Sequence, residues 1–240
     1  MNTVVELMCA HRSIRQFAPQ PISTGQLEQV LLAAQSASSS SFLQAVSVIR
    51  VKDMTKRQQL VSLCGEQPYV ASAAEFLVFC IDFHRHRSLV PAAKTGYIEQ
   101  LLIGAIDAGL MGQNALLAAE SMGLGGVFIG AIRNDPDGVS QLLDLPELVA
   151  PLFGLCLGYP AQSPDLKPRL PLQLVLHEER YQAPDPSHFA AYDALLAHYY
   201  RGRGETGRVR GWTDQLEKIL SKEARPFMFD YLRRRGFALK

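Results

Sequence analysis

The stretch "HRSIRQF" at 11–17 brings His11, Arg12, Ser13 and Arg15 within five positions. Arginine and histidine donate several hydrogen bonds to an oxyanion, and serine adds a rotatable one, so this set has the chemistry of a phosphate clamp. The same residue types suit a solvated helix end, where cations meet the negative end of the macrodipole. Residue types leave both readings open, and the solvated end is the commoner. A second basic set stands in "LKPRL", where Lys167 and Arg169 flank Pro168 and share one side if the segment is extended. Alone, it reads as a solvated loop. Together with the serines at 38–41, the two sets raise the case for an anion site without naming the anion.

The motifs that would supply a reactive group are missing. In "GLGGVFIG" the glycines precede the strand, and Phe128 stands where a dinucleotide fingerprint needs glycine. There is no phosphate-binding P-loop, and "HEERY" at 177 lacks the second histidine of a zinc protease helix. His84 and His86 could share a strand face with Asp82 and hold a metal, but a polar strand end is the commoner meaning of "DFHRH". The four cysteines form no C-x-x-C pair. No metal site and no catalytic side chain are expected. An enzyme without its own reactive group borrows one from a cofactor, and a phosphate-bearing cofactor would use the basic sets.

The elements that must position these groups are legible as alternating helices and strands. Ser23 and Gln26 have capping-box spacing ahead of Leu27, Val30, Leu31 and Ala34, and Thr3 with Glu6 has the same spacing in the opening helix. "VSVIRV" at 46–51 and "EFLVFCIDF" at 75–83 read as strands, with a helix at about 54–64 between them that Gly65 ends. A long helix is expected from about 95 to 122, carrying Ile98, Leu101, Leu102, Ile106, Leu110, Leu116 and Leu117. Its Gly104, Ala108, Gly109 and Gly112 form a small-residue side where another backbone, including that of a second subunit, could approach. Strands follow in "GGVFIGAI" and "PLFGLCLGY", with a helix starting at Asp135-Pro136 between them. Three further helices are expected after 185, interrupted by "RGRGETGRVRG" at 201–211.

The chain has 240 residues, 48% of them hydrophobic and 20% charged, which suffices for one large domain or two small ones. The longest apolar run, "LVAPLFGLCLGY", has twelve residues and contains Pro151, and the N-terminus has no basic start followed by an apolar stretch. A soluble, cytoplasmic chain with reduced thiols and no membrane association is expected. The net charge of +1 conceals an asymmetry: residues 1–200 hold 13 Lys and Arg against 18 Asp and Glu, whereas 201–240 hold 11 against 5. A basic tail suggests an anionic partner. Nucleic acid is one such partner, but the arginines are few, Trp212 is the only aromatic that closely follows them, and no RNA-binding signature is present.

The segments "HRSIRQF", "SSSSFLQ" at 38–44, "AAESMGLGG" at 118–126, "FGLCLGYP" at 153–160, "KPRLP" at 167–171 and "ARPF" at 224–227 together resemble the FMN-dependent nitroreductase superfamily. Within it, the likeness is to the group of oxygen-insensitive NADPH nitroreductases and NADPH-flavin oxidoreductases, and it runs from end to end. The resemblance implies an α+β nitroreductase-like fold, with a mixed central sheet flanked by helices. It also implies one domain over 1–240, with 185–240 a helical C-terminal excursion, and an intertwined homodimer with swapped terminal segments and FMN sites at the interface.

By the same resemblance His11 and Ser13, with Lys167 and Arg169, hold the FMN phosphate, Arg12 belongs to the cofactor site in the same segment, and Arg15 lies by the pyrimidine edge, where a guanidinium favours reduced flavin. Ser39 reaches the cofactor from the other subunit, Gln67 and Tyr69 line it, and Phe128, Ile129, Gly130 and Ala131 face its reacting edge. Phe128 stands where tyrosine is usual and loses a hydroxyl. Ala131 stands where glycine is usual and adds a Cβ that disfavours positive φ. Arg203 and Arg208 match the positions that recognise the 2′-phosphate of NADPH, and Ser41, Phe42 and Arg225 match walls of the substrate pocket. The implied reaction is two-electron, ping-pong hydride transfer from NADPH to nitroaromatics and quinones, with supply of reduced free flavin to an oxygenase or luciferase as the alternative.

Overall fold

A computed structural model of the chain describes residues 3–202 and 211–240. The helices are α1 (Thr3–Cys9), α2 (Thr24–Gln35), α3 (Met54–Leu63), α4 (Tyr69–Ser72), α5 (His84–Leu89), α6 (Ile98–Ser121), α7 (Pro136–Leu142), α8 (Pro186–Gly202), α9 (Trp212–Leu220) and α10 (Met228–Arg234). The strands are β1 (Val46–Arg50), β2 (Glu75–Asp82), β3 (Gly125–Ile129) and β4 (Val149–Gly158). Short 3-10 turns occur at Ser40–Phe42, Gly130–Arg133 and Leu172–Leu174. The class is α+β, as expected.

The strands form one sheet in the order β1-β2-β4-β3. All three pairings are antiparallel, so the sheet of the described residues is antiparallel where a mixed one was expected. Every residue of β2 is buried, and the period-two alternation of a strand sends its side chains into two cores. Phe76, Val78 and Cys80 join α3, α4 and α7 residues in one cluster, whereas Leu77 and Phe79 join residues of α2 and α6 in another. Pro151 lies inside the central strand β4, where it cannot donate a ladder bond. The register shifts there, with Phe79 opposite Phe153 but Cys80 opposite Pro151, and this irregularity accommodates it.

Local signals fix the helix starts. Ser23 Oγ accepts from Gln26 N at 3.2 Å while Gln26 Oε1 accepts from Ser23 N at 3.2 Å, closing the expected capping box on α2. Asp53 caps α3 through Lys56 N, and Asp135 caps α7 through Gly138 N with Pro136 at its first position.

The long helix inverts one expectation. Its small residues pack on the sheet of the same chain and not toward a second subunit. A Cβ at Gly104 would collide with the Ile81 side chain, and one at Gly112 would come within 2.8 Å of the Phe153 ring. Gly109 differs, because nothing lies within 4 Å of its Cβ position. The large residues Ile98, Leu102, Ile106 and Leu110, spaced four apart on one helix face, are exposed. Among the described residues, α6 is the helix long and apolar enough to cross a membrane by length and composition, and its small face is committed to the sheet.

The chain divides into two compact units, Met1–Pro164 with Phe227–Lys240, and Asp165–Pro226. In the first, the C-terminal segment returns to the body. Tyr231 is fully buried with its hydroxyl 2.7 Å from Ser140 Oγ, burial pushes its phenol up to about 12, and Leu148 N donates to Arg235 O at 2.8 Å. In the second, Asp193 of α8 accepts from Thr213 N at 2.7 Å and so caps α9, and the Tyr192 hydroxyl donates to Pro168 O at 3.0 Å.

Two glycine substitutions test this packing. Gly104→Ala is expected to lower unfolding free energy by about 1–3 kcal/mol through overpacking against Ile81. Gly25→Ala, with nothing within 4 Å, should raise it by up to about 1 kcal/mol through helix propensity. Urea unfolding measures both, and a neutral or stabilising Gly104→Ala would contradict the close approach of α6 to β2.

Candidate functional site

The 11–17 segment is not a helix end. Helix α1 stops at Cys9, and the chain then runs extended beside the sheet: Ile14 N donates to Gly126 O at 2.9 Å, Phe17 bridges Pro160, and Ala18 N donates to Tyr159 O at 2.9 Å. Gly125 permits this course, since a Cβ there would lie 2.6 Å from Ile14 Cγ1. The dipole reading therefore holds for no residue beyond His11, whose N donates to Met8 O at 3.3 Å at the end of α1, and the following side chains are displayed by an extended backbone. His11 Nδ1 lies 2.6 Å from Glu120 Oε1 in the last turn of α6, which orients the ring and leaves Nε2 for another partner. Arg12 Nε is buried with no partner, and Arg12 lines a cavity of about 390 Å³ with Ile14, Glu120 and Pro160. Ser13 is half-buried and Arg15 is exposed.

Gln67 and Tyr69 follow a left-handed turn at Gly65 and Glu66, with φ of 71° and 57°. The short helix α4 that begins at Tyr69 is held from behind by Arg57, which is buried and donates from Nε to Val70 O at 3.0 Å and from Nη2 to Ala73 O at 2.6 Å. Two bonds to otherwise orphaned carbonyls of a helix end make a fixed support. Burial pulls the Arg57 guanidinium below its ordinary value, with Cys156 and Glu75 acting the other way. Gln67 Oε1 is buried and has no partner.

Phe128 is the one exposed residue of β3. Its ring stands edge-on to Phe153 at 5.3 Å, and Phe153 stacks on Phe79 at 4.9 Å. Ile129 is buried, and Gly130 opens the 3-10 turn that contains Ala131. Ala131 is not among the positive-φ residues, so the strain expected of its Cβ is not present. The turn is tied down by Arg133, whose guanidinium donates to Leu152 O.

One apolar cluster joins these segments. Phe17, Tyr69 and Ala131 all pack against the core that contains Val70, Val127, Ile129 and Ile132. The structure thus brings together the neighbourhoods of 11–17, 67–69 and 128–131. The serine loop is anchored elsewhere: Ser39 Oγ donates to Asp107 Oδ2 at 2.6 Å, Leu43 packs in a third cluster, and Ser41 and Phe42 are exposed at left-handed φ. Lys167 and Arg169 are exposed in the second unit, which also contains Arg225, half-buried and with φ of 55°. Lys167 Nζ lies 5.2 Å from the centroid of the Tyr200 ring. Arg203 and Arg208 lie outside the described residues.

The three buried thiols are not poised as nucleophiles by their surroundings, because burial pushes Cys64 and Cys80 up to about 12 and raises Cys156 as well. Among the described residues no group of three or more His, Cys, Asp and Glu could hold a metal. His84 and His86 do not extend the strand; they lie in α5, where His84 Nδ1 is 3.1 Å from Glu147 O and His86 Nε2 is 2.6 Å from Leu43 O. What the arrangement offers is an unused donor at Arg12, an unused acceptor at Gln67, cationic and hydroxyl groups on the extended 11–15 segment, and an exposed aromatic ring at Phe128. These suit a planar cofactor with a polar edge and a phosphate, and FMN fits that description. Glu120, Asp107 and Arg57 complete the supports, and none of them was among the residues singled out from sequence.

Two family models match the chain: "Nitroreductase family" over residues 9–159 and "Nitroreductase family, C-terminal domain" over 167–240. A protein of Salmonella typhimurium named oxygen-insensitive NADPH nitroreductase is 53% identical over 240 residues, covering 100% of both chains. The NADPH-flavin oxidoreductase of Vibrio harveyi is 48% identical over 238 residues, covering 99% of both. Among solved structures, nitroreductase A from Vibrio parahaemolyticus superposes with a TM-score of 0.95 at 49% identity over 100% of both chains. The NADPH:FMN oxidoreductase of Vibrio harveyi complexed with NAD+ gives 0.94 at 46% identity, also over 100% of both.

Proposed function

The chain belongs to the nitroreductase family, and from that membership we propose that it reduces nitroaromatics and quinones with electrons from NADPH, two at a time and in a ping-pong order. It is an NADPH-dependent flavin oxidoreductase, and its cofactor is FMN. The cofactor supplies the hydride chemistry, and the protein binds, orients and tunes it. The observation that carries the reading is the clustering of 11–17, 67–69 and 128–131 on one core, with a buried guanidinium donor and a buried amide acceptor unused.

Each side chain has a part in this reading. Arg12, Ser13, Lys167 and Arg169 hold the phosphate, together with His11, whose ring Glu120 orients. Arg15 sets a positive charge by the pyrimidine edge, which favours the reduced cofactor. Gln67 uses its free carbonyl oxygen on the flavin's polar edge, and Tyr69 lines it. Phe128, Ile129, Gly130 and Ala131 form the wall by the reacting edge, and Phe128 offers an aromatic face without the hydrogen bond of a tyrosine. Ser41, Phe42 and Arg225 bound the open side where donor and acceptor alternate. The second reading, supply of reduced free flavin to another enzyme, is favoured by relatives named FMN reductase in Bacillus subtilis.

The working form in this reading is a homodimer with exchanged terminal segments, in the cytoplasm and away from membranes. The exposed stripe of Ile98, Leu102, Ile106 and Leu110 supports association, since a monomer gains nothing by showing four large apolar residues in line. Ser39 then belongs to a site completed by the partner. Nucleic-acid binding is disfavoured because Trp212, the aromatic that directly follows the basic segment, packs on Phe189 and Tyr192 at 6.1 and 5.6 Å and offers no free stacking face of that kind.

Two outcomes are expected. Replacing Arg203 and Arg208 by alanine should raise KM for NADPH by about tenfold or more while changing that for NADH little, because the lost contacts serve the 2′-phosphate. Steady-state kinetics with both donors checks this, and equal effects on both would refute the assignment. Ile106→Glu should shift the protein toward monomer in sedimentation velocity, whereas an unchanged dimer would place the interface elsewhere.

A further inference from the structure

Asp107 is a carboxylate in the middle of an apolar helix, 4% exposed. Its environment would be unfavourable to it without partners, and both of its oxygens have one. Oδ2 accepts from Ser39 Oγ at 2.6 Å and Oδ1 accepts from Ser40 N at 3.1 Å. Ser39 Oγ in turn accepts from Gln44 N at 2.7 Å. One buried carboxylate therefore holds the serine loop at both ends, through a backbone amide at its start and through a hydroxyl relay at its finish.

The loop needs such a hold. Ser41, Phe42 and Gln44 have φ of 48°, 56° and 53°, and non-glycine residues do not gather in that region without being made to. Close packing does not supply the force, since a cavity of about 310 Å³ is lined by Ser38, Ser39, Gln44 and Asp107. The downstream end has its own ties, with His86 Nε2 2.6 Å from Leu43 O and Arg85 Nη2 donating to Gln44 O at 2.7 Å. The tip between these ties, Ser41 and Phe42, is exposed.

We infer that Asp107 is a positioning residue: it fixes the backbone of the 38–44 loop so that the tip is presented to the cofactor and substrate pocket. The inference rests on the proposed reading that this loop reaches the flavin site. It also assigns Ser39 a narrower part than that reading did. A hydroxyl has one proton, and Ser39 gives its proton to Asp107, so Ser39 offers the cofactor no donated hydrogen bond and acts as the node of the loop. Contacts to a ligand fall to Ser38, Ser40, Ser41 and the backbone.

The test uses Asp107→Asn, which keeps size and shape but replaces one acceptor by a donor, in the full chain. Hydrogen exchange of the peptide covering 36–45 and the FMN dissociation constant, from fluorescence titration of the flavin-stripped protein, are read together. Exchange in that peptide should rise about tenfold or more, exchange in 75–82 should stay unchanged, and FMN should bind about tenfold more weakly. Ser39→Ala should speed exchange at the Gln44 amide alone, and the double variant should be no worse than Asp107→Asn, because both act through one node. If Asp107→Asn fails to fold, Ser39→Ala and Ser39→Thr decide by the same amide, with recovery in the threonine variant expected. Unchanged exchange at 36–45, or a rise spread equally over 75–82, would overturn the positioning role. Faster exchange at 36–45 with unchanged FMN affinity would show the clamp to be real and the loop's part in the flavin site to be wrong, which overturns the inference through the reading it rests on.

Discussion

The burial of β2 on both faces is the constraint from which the remaining arrangement follows. A strand with no exposed residue must be covered by two layers, and strand alternation then assigns Phe76, Val78 and Cys80 to one and Leu77 and Phe79 to the other. The first layer, with α3, α4 and α7, carries Tyr69 and the turn at 130–133 toward a common core. The second needs a helix that can lie close on the sheet, and α6 meets this with Gly104, Ala108 and Gly112. Once α6 lies there, Glu120 stands at one end of it to orient His11, and Asp107 stands midway to hold the serine loop. The helix that closes the core also places two polar supports.

The candidate site follows a division of labour between rigid backbone and buried polar anchors. The cationic segment at 11–17 is extended because it bonds to the ends of β3 and β4, and Gly125 gives it room. The segment at 67–69 is stationary because Arg57 saturates carbonyls at the end of α4. In each case a side chain that the proposed reading puts on the flavin is set by a neighbour outside that set, which is preorganisation through supporting contacts. In the proposed reading, the choice between nitro compounds, quinones and free flavin falls to exposed groups such as Phe42 and Phe128.

Much of this was legible in the chain, and the failures share a physical cause. Strands β1, β2 and β4 and helices α2, α3 and α6 followed from local periodicity and capping, and Ser23 with Gln26 closes the box that its spacing foretold. The basic set at 11–15 was visible as a set, but its extended backbone depends on the Ile14 to Gly126 bond across the fold, and local reading favoured a helix end. The two faces of α6 could not be told apart, because a chain with an exposed apolar stripe and a buried glycine stripe reverses the usual pattern. Asp107 was visible as a carboxylate within "LLIGAIDAGLMG" and went unread because its partner Ser39 is 68 positions away. Long-range polar pairs leave no periodic trace.

The central claim is that this scaffold holds FMN and lets NADPH reduce it. The most direct measurement is the visible spectrum of the purified protein under anaerobic conditions, first with NADPH or NADH and then with a nitroaromatic. The account predicts a flavin absorbance that NADPH bleaches in preference to NADH and that the nitroaromatic restores. A colourless protein that added FMN does not reconstitute would contradict it.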